Sequence, residues 1–133
     1  MDGEEAVIVA GVGFRQGVAA GEIVETIERA LAKAALGRRQ LTRLATVASR
    51  ASEPGLLDAA RCLDLAIEAI APDRLAEAEP RVQTRSERIT ELHGVGSVAE
   101  AAALCAAGQA SRLLVARISN GRATCAIAEG RDS

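Results

Sequence analysis

Residues 6–17 read AVIVAGVGFRQG, and this stretch decides the fold of the chain. Residues 6–10 form a short apolar run rich in β-branched side chains, which is typical of a strand buried on both faces. Gly11 closes the run, and a glycine-rich loop is expected from there to Gly17. Strands buried on both faces occur where helices cover both sides of a sheet, so the stretch indicates an α/β domain.

Helix and strand signals alternate over the next part of the chain. Apolar residues recur at helical spacing in residues 22–36, and Gly37 stands where a helix C-cap belongs. Residues 44–47 form a second apolar run, which predicts a strand. Pro54 suits the first position of a helix that runs to about residue 63. This alternation is typical of a sheet whose early strands are parallel.

The middle of the chain gives weaker signals. Residues 65–70 alternate and predict a third strand, while residues 72–79 and 84–92 predict short helices around a turn at Pro80. Each of these segments is short, so its pattern contains few periods.

The last third of the chain has clear signals again. Ser97 and Glu100 form a capping-box pair at the start of an alanine-rich helix that ends at Gly108. Asn120-Gly121 stands between two apolar runs, which predicts an antiparallel hairpin. The sequence therefore predicts a single α/β domain with a mixed, mostly parallel sheet, flanking helices and a C-terminal antiparallel hairpin.

The composition excludes one class of partner. The chain has 133 residues, a net charge of −2 and a single aromatic residue, Phe14. Proteins that bind single-stranded nucleic acid rely on aromatic faces and a basic groove, so we expect no nucleic-acid partner. Lys33 is the one lysine among 16 basic residues, and arginine suits the recognition of carboxylates. A genome-wide bias toward arginine codons explains this preference equally well.

No metal or other cofactor is expected. His93 is the only histidine and has no cysteine or carboxylate at metal-ligand spacing. The three cysteines Cys62, Cys105 and Cys125 lie far apart, which indicates neither a disulfide framework nor a zinc site. We interpret them as reduced thiols in the core. The glycine spacing of residues 11–17 also misses the G-x-G-x-x-G dinucleotide pattern by one position.

The chain carries no sign of a signal peptide or a membrane segment. It begins MDGEE, which is acidic where a signal peptide would be basic. No apolar run approaches the roughly 18 residues that a membrane span needs. We therefore expect a cytoplasmic protein without a membrane partner.

The polar residues that follow the first two predicted strands form the main candidate site. Arg15 follows the first strand, and Arg50 and Glu53 follow the second. Loops at the carboxyl ends of neighbouring parallel strands open on one edge of the sheet, where α/β proteins bind their ligands. We therefore expect these three residues to converge, with Thr46 and Glu22 nearby.

Structural roles explain the same residues without a ligand. Arg15 is also consistent with a surface residue on a tight turn, and Glu53 at a helix start stabilises that helix by about 0.3–1 kcal/mol through the helix dipole. Residues 94–97 place two glycines and a hydroxyl before a helix whose free N–H groups can bind an anion. A plain capped helix start has the same sequence.

Three segments together resemble one protein family. Residues 11–17 with Glu22-Ile23 resemble a G-x-G-x-R-x-G…E-[IL] motif. Residues 45–56 resemble A-T-[IV]…K-x-x-E-x-G-L, and residues 94–104 resemble G-V-x-x-V-A-E-A-A-A. In this order, these are motifs of the family formed by CobE and the C-terminal domain of CbiG.

The resemblance covers nearly the whole chain. It spans about residues 5–128, with residues 1–4 and 129–133 as short tails, and it indicates the short form without the upstream domain of CbiG. Two departures stand out. Residues 18–19 are Val-Ala where the family tends to have a hydroxyl residue, and Arg50 replaces a lysine, which preserves the charge.

The resemblance implies both a ligand and a place for it. The implied ligand is a corrin-ring precursor of cobalamin biosynthesis, a modified tetrapyrrole with many acetate and propionate carboxylates. Other enzymes of that pathway are the implied protein partners. The residues that we predict to bind this ligand, from the loops at the strand ends and the helix entrance, are Gly11, Gly13, Arg15, Gly17, Glu22, Thr46, Arg50, Gly94, Gly96 and Ser97.

The resemblance leaves two functional classes open. In the first, the protein holds or delivers a precorrin or a hydrogenobyrinic-acid-type intermediate, which fits a sequence without an evident catalytic nucleophile. In the second, it is a hydrolase that opens the ring-A lactone of cobalt-precorrin-5A and releases acetaldehyde. Glu53 is then the general base, and Arg15 or Arg50 stabilises the developing oxyanion.

Overall fold

The structure, a computed structural model, describes residues 5–83 and 97–132. In chain order its elements are β1 (Glu5–Phe14), α1 (Ala20–Lys33), β2 (Arg43–Val47), α2 (Pro54–Leu63), β3 (Ile67–Ile70), α3 (Pro72–Glu77), α4 (Val98–Ala107), β4 (Arg112–Ser119) and β5 (Ala123–Asp132). Short 3-10 turns lie at Arg38–Gln40, Ala48–Arg50 and Glu79–Arg81.

The strands form one mixed sheet in the order β3-β2-β1-β5-β4. Strands β1, β2 and β3 are parallel, whereas β5 is antiparallel to both β1 and β4. This confirms the predicted α/β fold with a C-terminal hairpin at one end of the sheet. The segments that follow β1 and β2 and the β4–β5 turn lie along one side of the sheet, which we call the carboxyl edge.

Helices cover both faces of the sheet. Along β1, Ile8, Ala10 and Val12 pack with α1 and α2, whereas Val7 and Val9 pack with α3 and α4. Alternate side chains of one strand thus enter two separate apolar cores. The prediction that β1 is buried on both faces is confirmed.

The glycines that open the predicted loop belong to the strand instead. Strand β1 continues to Phe14, so the interpretation of Gly11 and Gly13 as loop residues is wrong. A Cβ on Gly11 would overlap the carbonyl oxygen of Ala99 and lie 2.6 Å from the amide nitrogen of Ala103. Gly11 therefore lets the backbone of α4 lie directly on the sheet. A glycine inside a strand often marks such a close approach of another backbone.

Helix α1 ends earlier than its sequence predicts. Its C-cap is Ala34 rather than Gly37, and Ala35 takes the left-handed conformation, with φ 58°. The amide of Leu36 then donates to the carbonyl of Leu31 at 2.9 Å, and Leu36 packs against the core. The left-handed Ala35 thus ends the helix and turns the partly buried Leu36 toward the core. No helix in the described ranges is long and apolar enough to cross a membrane.

The remaining predicted segments differ in outcome. Helices α2 and α4 confirm their predicted positions, strand β3 begins at Ile67 rather than at residue 65, and Pro80 lies in a 3-10 turn. The helix predicted at residues 84–92 lies outside the described residues. Strand β5 extends past residue 128 to Asp132, so residues 129–132 belong to the sheet rather than to a tail.

Candidate functional site

A tight turn follows β1 at the carboxyl edge. The amide of Val18 donates to the carbonyl of Arg15 at 3.1 Å, and Gly17 has a φ of +84°. A positive φ at the third residue of such a turn favours glycine, because side chains with a Cβ rarely adopt it. The amide of Arg15 also donates to the carbonyl of Arg122 in the β4–β5 turn, at 3.3 Å. The turn therefore places the exposed Arg15 beside the hairpin.

Glu53 joins this turn to the segment that follows β2. Its carboxylate oxygen Oε2 accepts the amide N–H of Gly17 at 2.9 Å, across 36 positions of sequence. Its own amide donates to the carbonyl of Arg50 at 3.2 Å. The structure thus brings the turn that bears Arg15 into contact with the segment that bears Arg50, as the parallel arrangement of β1 and β2 predicts.

Helix α2 touches the same turn through a glycine. A Cβ on Gly55 would overlap the carbonyl oxygen of Val18 and lie 3.2 Å from its carbonyl carbon. Gly55 therefore allows the turn to lie against the first residues of α2. Sequence reasoning missed this role, although a glycine inside a helix costs roughly 0.5–1 kcal/mol relative to alanine and so calls for a structural reason.

Arg15 and Arg50 carry charges that have no partner among the described residues. In residues 5–83 and 97–132, neither guanidinium makes a hydrogen bond or an ion pair. Arg15 is exposed, and Arg50 is half-buried. By contrast, six arginines of the described ranges lie within ion-pair distance of a carboxylate, namely Arg38, Arg43, Arg61, Arg74, Arg112 and Arg122. The two free guanidiniums are available to bind an anion from solution.

Two other predicted site residues are already engaged within the fold. Thr46 is 1% exposed, and its hydroxyl donates to the carbonyl of Val12 at 2.8 Å, which ties β2 to β1. Glu22 accepts the amide N–H of Ala19 at 3.0 Å at the start of α1. Its other oxygen lies 3.4 Å from Nε of Arg122. Both residues lie near the turn, and their contacts support it.

The predicted helix entrance is described only from Ser97 onward. Gly94 and Gly96 lie outside the described residues. Ser97 is fully buried, and its hydroxyl accepts the amide N–H of Glu100 at 3.2 Å, which confirms it as the N-cap of α4. Helix capping thus accounts for the hydroxyl of Ser97.

Glu100 has a role that the capping-box pattern does not reveal. Its carboxylate is fully buried and accepts the amide N–H of Gln83 at 2.6 Å and that of Arg117 at 2.8 Å. It therefore connects the start of α4 to strand β4 and to the chain that follows α3. These partners are distant in sequence, so the pattern alone gives no signal for them.

The three thiols differ in environment. Cys62 is exposed on α2, which corrects its assignment to the core. Cys125 is buried, and burial raises its pKa far above the ordinary value for a thiol. Burial also raises the pKa of the half-buried Cys105, although the nearby Arg74 and Arg81 oppose the shift. Among the described residues, no His, Cys, Asp and Glu group could hold a metal ion.

We expect these environments to separate the thiols in a labelling experiment. A thiol-specific chromogenic reagent at pH 8 should modify Cys62 within minutes, because the thiolate is the nucleophile and this thiol is accessible. Cys125 should react only when the protein is unfolded in denaturant. Mass spectrometry of peptides after timed quenching measures each site. Labelling of Cys125 as fast as that of Cys62 in native protein would contradict the buried position.

Comparison with known proteins places the chain among proteins of cobalamin biosynthesis. Residues 8–128 match the family described as the cobalamin synthesis G C-terminus. Protein CobE of Sinorhizobium sp is 37% identical over 123 residues, which cover 91% of this chain and 79% of that protein.

Two solved structures share the fold along most of their length. The crystal structure of CobE, a protein from the cobalamin biosynthetic pathway, is 33% identical, with a TM-score of 0.89 and coverage of 96% of this chain and 94% of that chain. The cobalamin biosynthesis protein chiG from Agrobacterium tumefaciens str. C58 is 36% identical, with a TM-score of 0.72 and coverage of 92% and 97%.

Proposed function

Because this chain belongs to the family of the cobalamin synthesis G C-terminus, we propose that it binds a corrin-ring precursor at the carboxyl edge and holds or delivers it within cobalamin biosynthesis. One observation carries the proposal. Arg15 and Arg50 lie on segments that contact each other through Glu53, and neither guanidinium has a partner in the described part of the chain.

The charges at this edge suit such a ligand. Corrin-ring precursors carry several acetate and propionate groups, and arginine pairs with carboxylates through charge-assisted hydrogen bonds. Bonds to charged groups contribute about 1.5–3 kcal/mol each, so two arginines can supply a substantial part of a micromolar affinity. The position also agrees with the general rule that open α/β sheets bind ligands beyond the carboxyl ends of their strands.

The contacts of Glu53 favour holding over catalysis. A general base needs an oxygen that is free to take a proton from the attacking water. Oε2 of Glu53 accepts the N–H of Gly17 and is engaged within the fold, which leaves only Oε1 for such a role. Cys62 lies at the end of α2 farthest from Glu53, and Cys125 is buried, so neither supplies an accessible nucleophile beside the arginines. A delivery role further requires another enzyme of the pathway as the acceptor of the ligand.

A titration with hydrogenobyrinic acid and with precorrin intermediates tests the proposal. We expect the absorption spectrum of one of these compounds to shift and to saturate at one equivalent of protein. Denaturation should then release the compound unchanged, as chromatography would show. The proposal is rejected if the protein, at concentrations up to the millimolar range, changes the absorption spectrum of none of these compounds.

A hydrolase that opens the ring-A lactone of cobalt-precorrin-5A is the second candidate. It is favoured by Oε1 of Glu53, which has no hydrogen-bond partner in the described ranges and belongs to a residue linked to Arg50. That oxygen could accept a proton from water while a guanidinium stabilises the oxyanion. Formation of acetaldehyde from cobalt-precorrin-5A with sub-stoichiometric protein would establish hydrolase activity and rule out a role limited to carrying the ligand.

A further inference from the structure

We propose that Glu53 is a positioning residue, whose carboxylate holds the Arg15–Val18 turn against the segment that bears Arg50 and so fixes the spacing of the two guanidiniums. The inference rests on the proposed function in one respect, namely that these guanidiniums contact the ligand. It concerns how the site is organised before any ligand arrives.

A continuous path of hydrogen bonds links the two arginine-bearing segments. Gly17 donates its amide N–H to Oε2 of Glu53 at 2.9 Å, and Glu53 donates its own N–H to the carbonyl of Arg50 at 3.2 Å. Glu53 is the only side chain in the described ranges that hydrogen-bonds to the backbone of residues 15–18. The side chain of one residue therefore carries the polar connection between the turn and α2.

Few other polar contacts hold the turn in the described ranges. On one side the amide of Arg15 bonds to the β4–β5 turn, at a long 3.3 Å. On the other side Val18 is buried in the core that α1 and α2 share, and Gly55 lies against its carbonyl group. Gly17 itself has open space around the position of a Cβ. Without the carboxylate, the turn keeps a van der Waals contact with α2 but loses its hydrogen bond.

The helix does not need this carboxylate as a cap. Glu53 occupies the N-cap position of α2, yet its side chain makes no capping hydrogen bond to the helix. Helix starts use short side chains such as Ser, Thr, Asp and Asn for capping. A glutamate has one more methylene group, and here that length carries the carboxylate away from the helix to Gly17. An aspartate at this position should therefore cap α2 without reaching the turn.

The first arm of the test uses the protein alone. Hydrogen exchange of the Gly17 amide, followed by NMR, should be accelerated about 10- to 100-fold in Glu53→Ala and Glu53→Asp, because a bond to a charged acceptor is lost. Glu53→Gln should keep most of the protection, since its amide oxygen can accept the same N–H. Unchanged Gly17 exchange in Glu53→Ala, with an intact fold by circular dichroism, would overturn the inference.

The second arm measures affinity for hydrogenobyrinic acid in a double-mutant cycle. Glu53→Ala should weaken binding about tenfold, and Glu53→Gln should restore most of that loss. In an Arg15→Ala background, Glu53→Ala should cost no more than about a further threefold, because the carboxylate acts through Arg15. Equal losses in both backgrounds would show that Glu53 acts on the ligand independently and would contradict a positioning role.

The two arms separate this inference from the proposed function. If the unmodified protein does not bind hydrogenobyrinic acid or the precorrins, the proposed function fails, while Gly17 exchange still decides whether Glu53 holds the turn. If the protein converts cobalt-precorrin-5A and Glu53→Gln abolishes turnover although Gly17 stays protected, Glu53 is a general base, and the claim that it acts only as a positioning residue is rejected.

Discussion

Replacement of Gly11 by alanine is expected to destabilise the protein by at least about 3 kcal/mol, a large share of the roughly 5–15 kcal/mol that stabilises a typical domain. The added Cβ would overlap the carbonyl oxygen of Ala99 and approach the amide nitrogen of Ala103. Both atoms belong to the backbone of α4, so no rotamer change can relieve the contact. The helix would have to move off the sheet, which opens the core between them.

Gly21→Ala is the matched control for this experiment. Gly21 lies exposed in α1, and its Cβ position has no neighbour within 4 Å. The same chemical change should therefore raise stability by up to about 1 kcal/mol, because alanine restricts the unfolded chain. Urea unfolding followed by far-UV circular dichroism suits a chain without Trp or Tyr. Similar midpoints for Gly11→Ala and the unmodified protein would show that α4 does not lie directly on β1.

The double variant Arg15→Ala/Arg50→Ala should lose about 10²–10⁴-fold in affinity for the proposed ligand, a corrin-ring precursor, because two charge-assisted contacts are removed. Each single variant should lose about 10- to 100-fold. Because neither guanidinium has a partner in the described residues, their removal breaks no internal ion pair. The melting temperature should therefore stay close to that of the unmodified protein.

Arg39→Ala controls for a general loss of positive charge. Arg39 is also exposed and without a partner within the described ranges, but it lies in the 3-10 turn before β2, at the opposite edge of the sheet. Its removal should leave affinity unchanged within about twofold, since screened charges act weakly over such a distance. Affinity of the double variant within about threefold of that of Arg39→Ala would show that the ligand binds elsewhere.

The contact between the segments that bear Arg15, Arg50 and Glu53 could be predicted because it depends on few facts. It requires only that β1 and β2 are neighbours and parallel, and strand and helix signals in the sequence indicate both. The contact partner of Glu53 could not be predicted. A glutamate at a helix start fits a helix-dipole role equally well, and only the position of the Gly17 turn decides between the two.

The role of Gly11 shows why local patterns leave some questions open. A glycine after an apolar run is compatible with a loop and with close packing of two backbones. The alanine-rich sequence of α4 was the available signal, because small residues on a helix allow a close approach to its neighbour. The pattern does not say which surface α4 approaches, and that depends on contacts about 90 positions away.

The role of Glu100 at a helix start could be predicted, but its contacts with two distant segments of the chain could not. Its spacing from Ser97 predicts the cap, which the structure confirms. Its bonds to the amides of Gln83 and Arg117 depend on the packing of α4 against two other segments. Buried carboxylates require such partners, so a glutamate among alanines on a buried helix is a signal worth pursuing in related sequences.

The position of β5 in the sheet bears on how the protein is made. Of the five strands of this sheet, β5 is synthesised last, yet it lies between β1 and β4, and its pairing with β1 joins Glu5 to Asp132. A nascent chain emerging from the ribosome therefore carries β1 with one side unpaired until β5 has been translated. Such pairing between strands far apart in sequence slows folding and exposes a strand edge to aggregation. Premature termination within β5 would thus leave a gap inside the sheet rather than a shortened edge.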